Sequence, residues 1–235
     1  VALDASDVGA DPEGTAEGLV EDLSGVTEAP AARGNLGLTG ELANVIRVST
    51  RTGATDTRTG LDPYDAAVPF ASLQAALTAS QAGDRIVVEE GVYTLSARLS
   101  AFDGRTIHLE GATIQGSFAS AGAGDAVIRV ADGETLRITG TGKLMSSGSG
   151  TAITVGMDAG ATAYIECDRI EPSGISPALQ TKGDSVTVRA NAIVSGGYDA
   201  VVHTGGRAYI RAELIDGGSN AVALEENDPP GALFV

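Results

Sequence analysis

The stretch Ser185–Gly206, SVTVRANAIVSGGYDAVVHTGG, is followed without a break by Arg207–Asp228, RAYIRAELIDGGSNAVALEEND, and the two carry the same features in the same order. Each has an alternating apolar strand, a small-residue corner, a second apolar pair, a glycine pair and a further short apolar strand. Repetition of this kind constrains the fold more tightly than any single residue. A unit of this length cannot bury its apolar face alone and needs a near copy above and below it. Anchoring each unit on one inward-looking apolar residue extends the pattern to Leu109, Ile138, Ile165, Val188 and Ile210. These anchors lie 29, 27, 23 and 22 residues apart by their numbers, so the connecting loops shorten while the strands persist.

Around the anchors run TIHLEGATIQG, LRITGTGKLMS, AYIECDRIEPSG, VTVRANAIVSGG and AYIRAELIDGG, and after them DAVIRV, TAITV, PALQT, DAVVH and NAVAL. The apolar period is two, which excludes a heptad or helical-repeat array and predicts three short strands per unit. Such units stack as coils of a parallel solenoid, with equivalent side chains piled at about 4.8 Å. Composition agrees: aromatics are 4% of residues, Trp is absent and 32 Gly supply turns, which suits a narrow core of small side chains. Cys167 is the only cysteine, so no disulfide closes within the chain and stability must come from packing or assembly.

Ahead of the coils, Val68–Leu95 reads VPFASLQAALTASQAGDRIVVEEGVYTL. Leu73, Ala76, Leu77 and Ser80 share one helical face, Gly83 stops the helix, and an alternating strand follows at Ile86–Val88. A short helix here would plug the end of the solenoid and shield stacked strand edges. This entry segment, with its amphipathic helix, Gly-Asp turn, valine-rich strand and Gly-x-Tyr, resembles that of pectate-lyase-like right-handed β-helices. With the coils behind it, the resemblance covers roughly residues 68 to 228. The expected fold is all-β: an extended, partly disordered arm at 1–66, then a capping helix plus a right-handed parallel β-helix at 67–235. That scaffold hosts lyases, hydrolases, adhesins and virion spikes, so it fixes no activity.

The arm is rich in Ala, Gly, Asp and Glu, is broken by Pro12 and Pro30, and holds too few apolar residues to bury a core. A short helix is expected near Thr15–Leu23 and a strand in VIRVST, Val45–Thr50. The phrases ASDVGADPEGTAE and APAARGNLGL are similar to linkers in tail fibre and tail spike proteins of tailed bacteriophages. The resemblance implies a homotrimeric virion protein in the phage tail. Its arm would contact other tail or baseplate proteins, and its β-helix would face the host surface and its glycans. A secreted adhesin on the bacterial cell surface is the alternative location.

Charge narrows the partners. A net charge of −16 disfavours nucleic acid and anionic membranes, and no run approaches the length of about eighteen apolar residues that a spanning helix needs. No secretory leader is visible at VALDASDVGADPEG, and no cofactor is implied.

Candidate site residues follow from the stacking. Three past each anchor lie Ala112, Thr141, Asp168, Asn191 and Glu213. Asp168 and Glu213 are thus expected two rungs apart on one face, about 9.6 Å, near the upper limit for an inverting glycosidase pair. Such a column is first a solvated corner and second an acid and base of a polysaccharide depolymerase. Compact coils and scarce aromatics favour the non-enzymatic reading. The next column, Glu110, Thr139, Glu166, Arg189 and Arg211, predicts a surface ion pair between Glu166 and Arg189. Tyr164 and Tyr209 occupy the same place in their units and form the best candidate binding surface for a glycan or for a sister subunit. His203 aligns with Val155, Thr181 and Leu224 and is expected half-buried or at an edge; it is too remote from His108 to support zinc. Cys167 should point inward as a small apolar group. The clusters Asp56, Asp62, Asp65 and Glu225, Glu226, Asp228 fit no calcium-loop spacing, and GTGK at Gly140–Lys143 lacks the helix that a phosphate loop needs.

Overall fold

The structure, a computed structural model, describes residues 44–59, 61–100, 102, 104–116, 126–147, 153–172, 174, 176–224 and 232–235. Val45–Val235 forms one compact unit. Most of the expected arm, including the Thr15–Leu23 helix, lies outside the described residues, as do Glu225, Glu226 and Asp228.

The chain opens with β1 (Val45–Val48), α1 (Leu73–Ala79), β2 (Arg85–Val88) and β3 (Gly91–Leu95). Long and short strands then alternate: β4 (Thr106–Gly116), β5 (Ala126–Val130), β6 (Thr135–Ser146), β7 (Ile153–Met157), β8 (Thr162–Pro172), β9 (Leu179–Thr181), β10 (Ser185–Ser195), β11 (Val201–His203), β12 (Arg207–Gly217) and β13 (Val222–Leu224), ending with β14 (Ala232–Phe234). The long strands build one sheet in the order β1-β2-β4-β6-β8-β10-β12-β14, with β3 paired to β4, and the short strands build a second in the order β13-β11-β9-β7-β5. All these pairings are parallel, giving an all-β parallel solenoid of about five turns with one short helix.

Three columns of side chains fill the interior. Ile46, Ile86, Ile107, Ile138, Ile165, Val188 and Ile210 stack in register through seven successive strands, and none is more than 1% exposed. Ile114, Leu144, Ile170, Ile193 and Ile215 form a second column, and Ile128, Val155, Leu179, Val201 and Val222 a third. Burying each such aliphatic side chain contributes about 1.5–3 kcal/mol. The predicted column of Ile165, Val188 and Ile210 is therefore present.

Two expectations need correction. Leu109 is not the first anchor: it stands opposite Gly140, and Ile107 is the residue opposite Ile138. Both Ile107 and Leu109 point inward, so alternation alone does not distinguish them. The strand count also differs, because the corner inside each unit does not interrupt the ladder. What the pattern divides into two short strands is one bent strand of 11 or 12 residues, so each coil contributes one long and one short strand.

The entry segment is organised by side-chain caps. Ser72 Oγ accepts the Ala75 N–H at 3.2 Å at the start of α1, and Leu73, Ala76 and Leu77 join the core beside Ile46 and Ile86. Asp84 is 1% exposed and accepts the Gln81 N–H at 2.6 Å and the Tyr64 hydroxyl at 3.1 Å, which locks the Gly-Asp turn. Tyr93 donates within reach of the Glu89 carbonyl at 2.9 Å and the Val48 carbonyl at 3.2 Å, tying β3 to β1. The expected strand in Val45–Thr50 is β1, whose Arg47 pairs with Glu89 at 3.3 Å.

Gly140 shows how tightly the corner is drawn. Its φ is +98°, and a Cβ there would collide with the Leu109 carbonyl oxygen of the coil below. Gly133 has φ +75° but open space around the same position. Gly133→Ala should therefore cost about 1–2 kcal/mol from backbone conformation alone. Gly140→Ala should cost more than that, at about 2–4 °C in Tm per kcal/mol, since the rigid carbonyl must move as well. Thermal melts of the two variants beside the wild type check the order; equal shifts would contradict the close stacking at Leu109.

Candidate functional site

The outward face of the large sheet inherits the register of the core. Asp168, Asn191 and Glu213 fall on successive rungs of β8, β10 and β12, between the pairs Ala190 with Cys167 and Ala190 with Ala212 and those that follow. The Asn191 amide donates to Asp168 Oδ1 at 3.2 Å. Asp168 and Glu213 are thus two rungs apart with Asn191 between them. They line a shallow concavity of about 560 Å³, together with Thr141, Glu166, Arg189 and Arg211. Its floor is Gly140, Cys167, Ala190 and Ala212, whose small side chains leave the corner open.

In the neighbouring column, Glu166, Arg189 and Arg211 are in register across β8, β10 and β12. Glu110 pairs with Thr141, and His108 takes the place beside Thr139. The expected ion pair between Glu166 and Arg189 is replaced by a contact within one strand. Glu166 Oε2 accepts the Tyr164 hydroxyl at 2.7 Å, and that bond, more than any other influence, raises the Tyr164 pKa. Two residues apart on one face of a strand, the pair meets without help from the next coil. The Tyr164 ring carries the Arg137 guanidinium 4.7 Å above its centre. Tyr209 lies two rungs from Tyr164, separated by Thr187, and is 47% exposed. The two tyrosines therefore share a column without touching.

The remaining candidates resolve into structural roles. Cys167 is buried, and burial pushes its thiol up to about 12, so no thiolate forms near neutrality. Asp56 accepts the Ala71 and Ser72 N–H groups at 2.9 Å each, while Asp62 and Asp65 accept those of Tyr64 and Ala67 at 2.9 and 2.8 Å. These carboxylates cap turns. GTGK lies within the bent β6. His108 Nδ1 meets Thr139 Oγ1 at 2.9 Å. His203 is only 4% exposed, more buried than expected, because its strand β11 faces inward between Thr181 and Leu224; Val155 stacks instead on Leu179. His203 Nδ1 meets Thr181 Oγ1 at 2.8 Å, and Nε2 is buried without a partner.

Sequence reasoning placed Asp168, Asn191 and Glu213 in one column and Glu166, Arg189 and Arg211 in the next, but missed the concavity that the two columns line. The in-register Arg189 and Arg211 were visible as a repeat; the curvature of the corner was not. Comparison with known proteins returned no match: no family model, no curated protein and no solved structure aligns with this chain.

Burial lowers the His203 pKa below its ordinary value, so between the two values the unfolded chain binds more protons than the folded one. Stability should therefore decline as pH falls below about 6.5, by at most about 1.4 kcal/mol per pH unit for this residue. His203→Leu, which matches the in-register Leu224, should flatten that part of the profile. Urea midpoints of both proteins at pH 5.5 and 7.5 measure the difference; parallel profiles would show that His203 protonates freely in the fold.

Proposed function

We propose that the chain is a virion structural protein, a tail fibre or tail spike subunit of a tailed bacteriophage that contributes to attachment at the host surface. One observation carries this reading: the uniform ladder of seven stacked core residues, joined in its later coils by connections of three to six residues between β8 and β13. A stack of this kind resists bending along its axis, and connections this short between β8 and β13 wall no deep cleft there. The right-handed sense expected from the entry segment agrees with the strong preference of parallel crossovers for that hand. Trimerisation is favoured by the exposed Tyr198, Tyr209 and Leu214, each about half exposed, on the last described coils. The acidic amino-terminal arm, similar to tail linkers, would attach the shaft to other tail or baseplate proteins.

A second reading is favoured by a specific feature. Asp168 and Glu213 line one concavity at a spacing of about 9.6 Å, which suits an inverting polysaccharide depolymerase only at the upper edge of its range. Asn191, hydrogen-bonded to Asp168 in the intervening rung, occupies the column between them.

The attachment reading predicts a trimer in sedimentation equilibrium and competition between the purified chain and phage particles for adsorption to the same cells. A monomer at micromolar concentration that leaves adsorption unchanged would overturn it. Release of reducing ends from capsule or lipopolysaccharide by the wild type, abolished in Asp168→Asn with Glu213→Gln, would establish the enzymatic reading in its place.

A further inference from the structure

Arg189 and Arg211 face each other across one rung of the large sheet, at about 4.8 Å between strands, and both are exposed. Like charges directly opposite in a sheet destabilise it. In a chain with a net charge of −16, nearby carboxylates would be expected to neutralise them. They do not. Arg47 pairs with Glu89, Arg129 with Asp158 and Arg169 with Glu171, whereas neither Arg189 nor Arg211 takes part in an ion pair. Glu166, one rung from Arg189, is held by the Tyr164 hydroxyl, and Asp168 is held by the Asn191 amide. Two guanidinium groups are therefore left side by side at the wall of the 560 Å³ concavity.

We infer that this concavity binds a carboxylate-bearing saccharide, an acidic glycan of the uronate or sialate class, with its carboxylate between Arg189 and Arg211. A guanidinium presents paired N–H donors that match a carboxylate, and a carboxylate held between two stacked forks offsets their mutual repulsion. Two residues farther along the same strands, the concavity supplies what a sugar's hydroxyls require: carboxylate oxygens of Asp168 and Glu213 as acceptors and the Asn191 amide between them. Tyr209, two residues before Arg211 on the same outward face, offers a half-exposed ring for an apolar sugar face. The inference rests on the attachment reading only for the source of the glycan, a cell surface.

The test is fluorescence anisotropy of the full chain with labelled oligogalacturonate, hyaluronan oligomers and oligosialic acid. Methyl-esterified oligogalacturonate and inorganic phosphate serve as competitors. At least one acidic oligomer should bind, with affinity falling as NaCl rises from about 50 to about 300 mM. Methyl esterification, or the double variant Arg189→Gln with Arg211→Gln, should each weaken binding at least about tenfold. The control Arg207→Gln, an exposed cation outside the concavity, should change little, and circular dichroism melts confirm that the variants fold. Binding of none of the three oligomers, equal binding of acid and ester, unchanged binding by the double variant, or displacement by phosphate at equal concentration would each overturn the inference. Adsorption of the wild-type chain to intact bacterial cells is scored separately. Cell binding without acidic-glycan binding removes this assignment and leaves attachment standing, while glycan binding without cell binding does the reverse.

Discussion

Everything in this molecule depends on parallel strands paired in register, so that each inward side chain lies over its counterpart in the next coil. Parallel pairing makes stacking of like on like unavoidable. For aliphatic side chains that is an advantage, since Ile over Ile excludes water without a large ring to fill a gap. A chain with 4% aromatics and no Trp can therefore build a continuous core from Ile, Val, Leu and Ala. The same geometry explains why Gly140 cannot be replaced freely: when backbones are drawn this close, a corner has room for a turn but not for a Cβ.

Outside the core, like on like is a cost wherever the side chains are charged. The outward columns mostly interleave types to relieve it. Arg137, Tyr164, Thr187 and Tyr209 alternate cation, ring, hydroxyl and ring, and Asp168, Asn191 and Glu213 place an amide between two carboxylates. Lys143 opposite Arg169 and Arg189 over Arg211 depart from that pattern. Arg169 is paired with Glu171, whereas Arg189 and Arg211 meet without a paired carboxylate at a corner where Gly140, Cys167, Ala190 and Ala212 leave space, and such a departure is where function is most economically sought.

How much of this was legible in the sequence follows from the same period. Alternation with period two identifies which face a residue takes, and it placed Ile165, Val188 and Ile210 in one column and Asp168, Asn191 and Glu213 in another. It cannot fix register to better than two residues. Ile107 and Leu109 both look inward, and only the ladder itself, with Ile107 opposite Ile138 and Leu109 opposite Gly140, decides between them. Nor does it reveal whether hydrogen bonding continues round a corner, which is why three predicted strands became one bent strand and one short strand. The Tyr164–Glu166 bond is not legible from column stacking, because stacking pairs residues of successive coils, while this partner lies two residues away in the same strand.

The two ends of the stack are finished differently. At β1 the edge is flanked by α1, whose Leu73, Ala76 and Leu77 pack into the core with Ile46 and Val48, and by the Arg47–Glu89 pair. Such coverage blunts an edge that would otherwise recruit another strand. At the other end, β14 pairs only with Arg207–Tyr209 of β12. The remainder of β12, from Ala212 to Gly217, has a described neighbour on the β10 side alone, and Leu214 there is 49% exposed. Core residues of a solenoid are buried best when a coil lies on each side of them, and among the described residues Ala212, Leu214 and Ile215 of β12 are less buried than Ala190, Ala192 and Ile193, their counterparts on β10. Burial along the inward columns is therefore set by the neighbouring coil as much as by the residue itself.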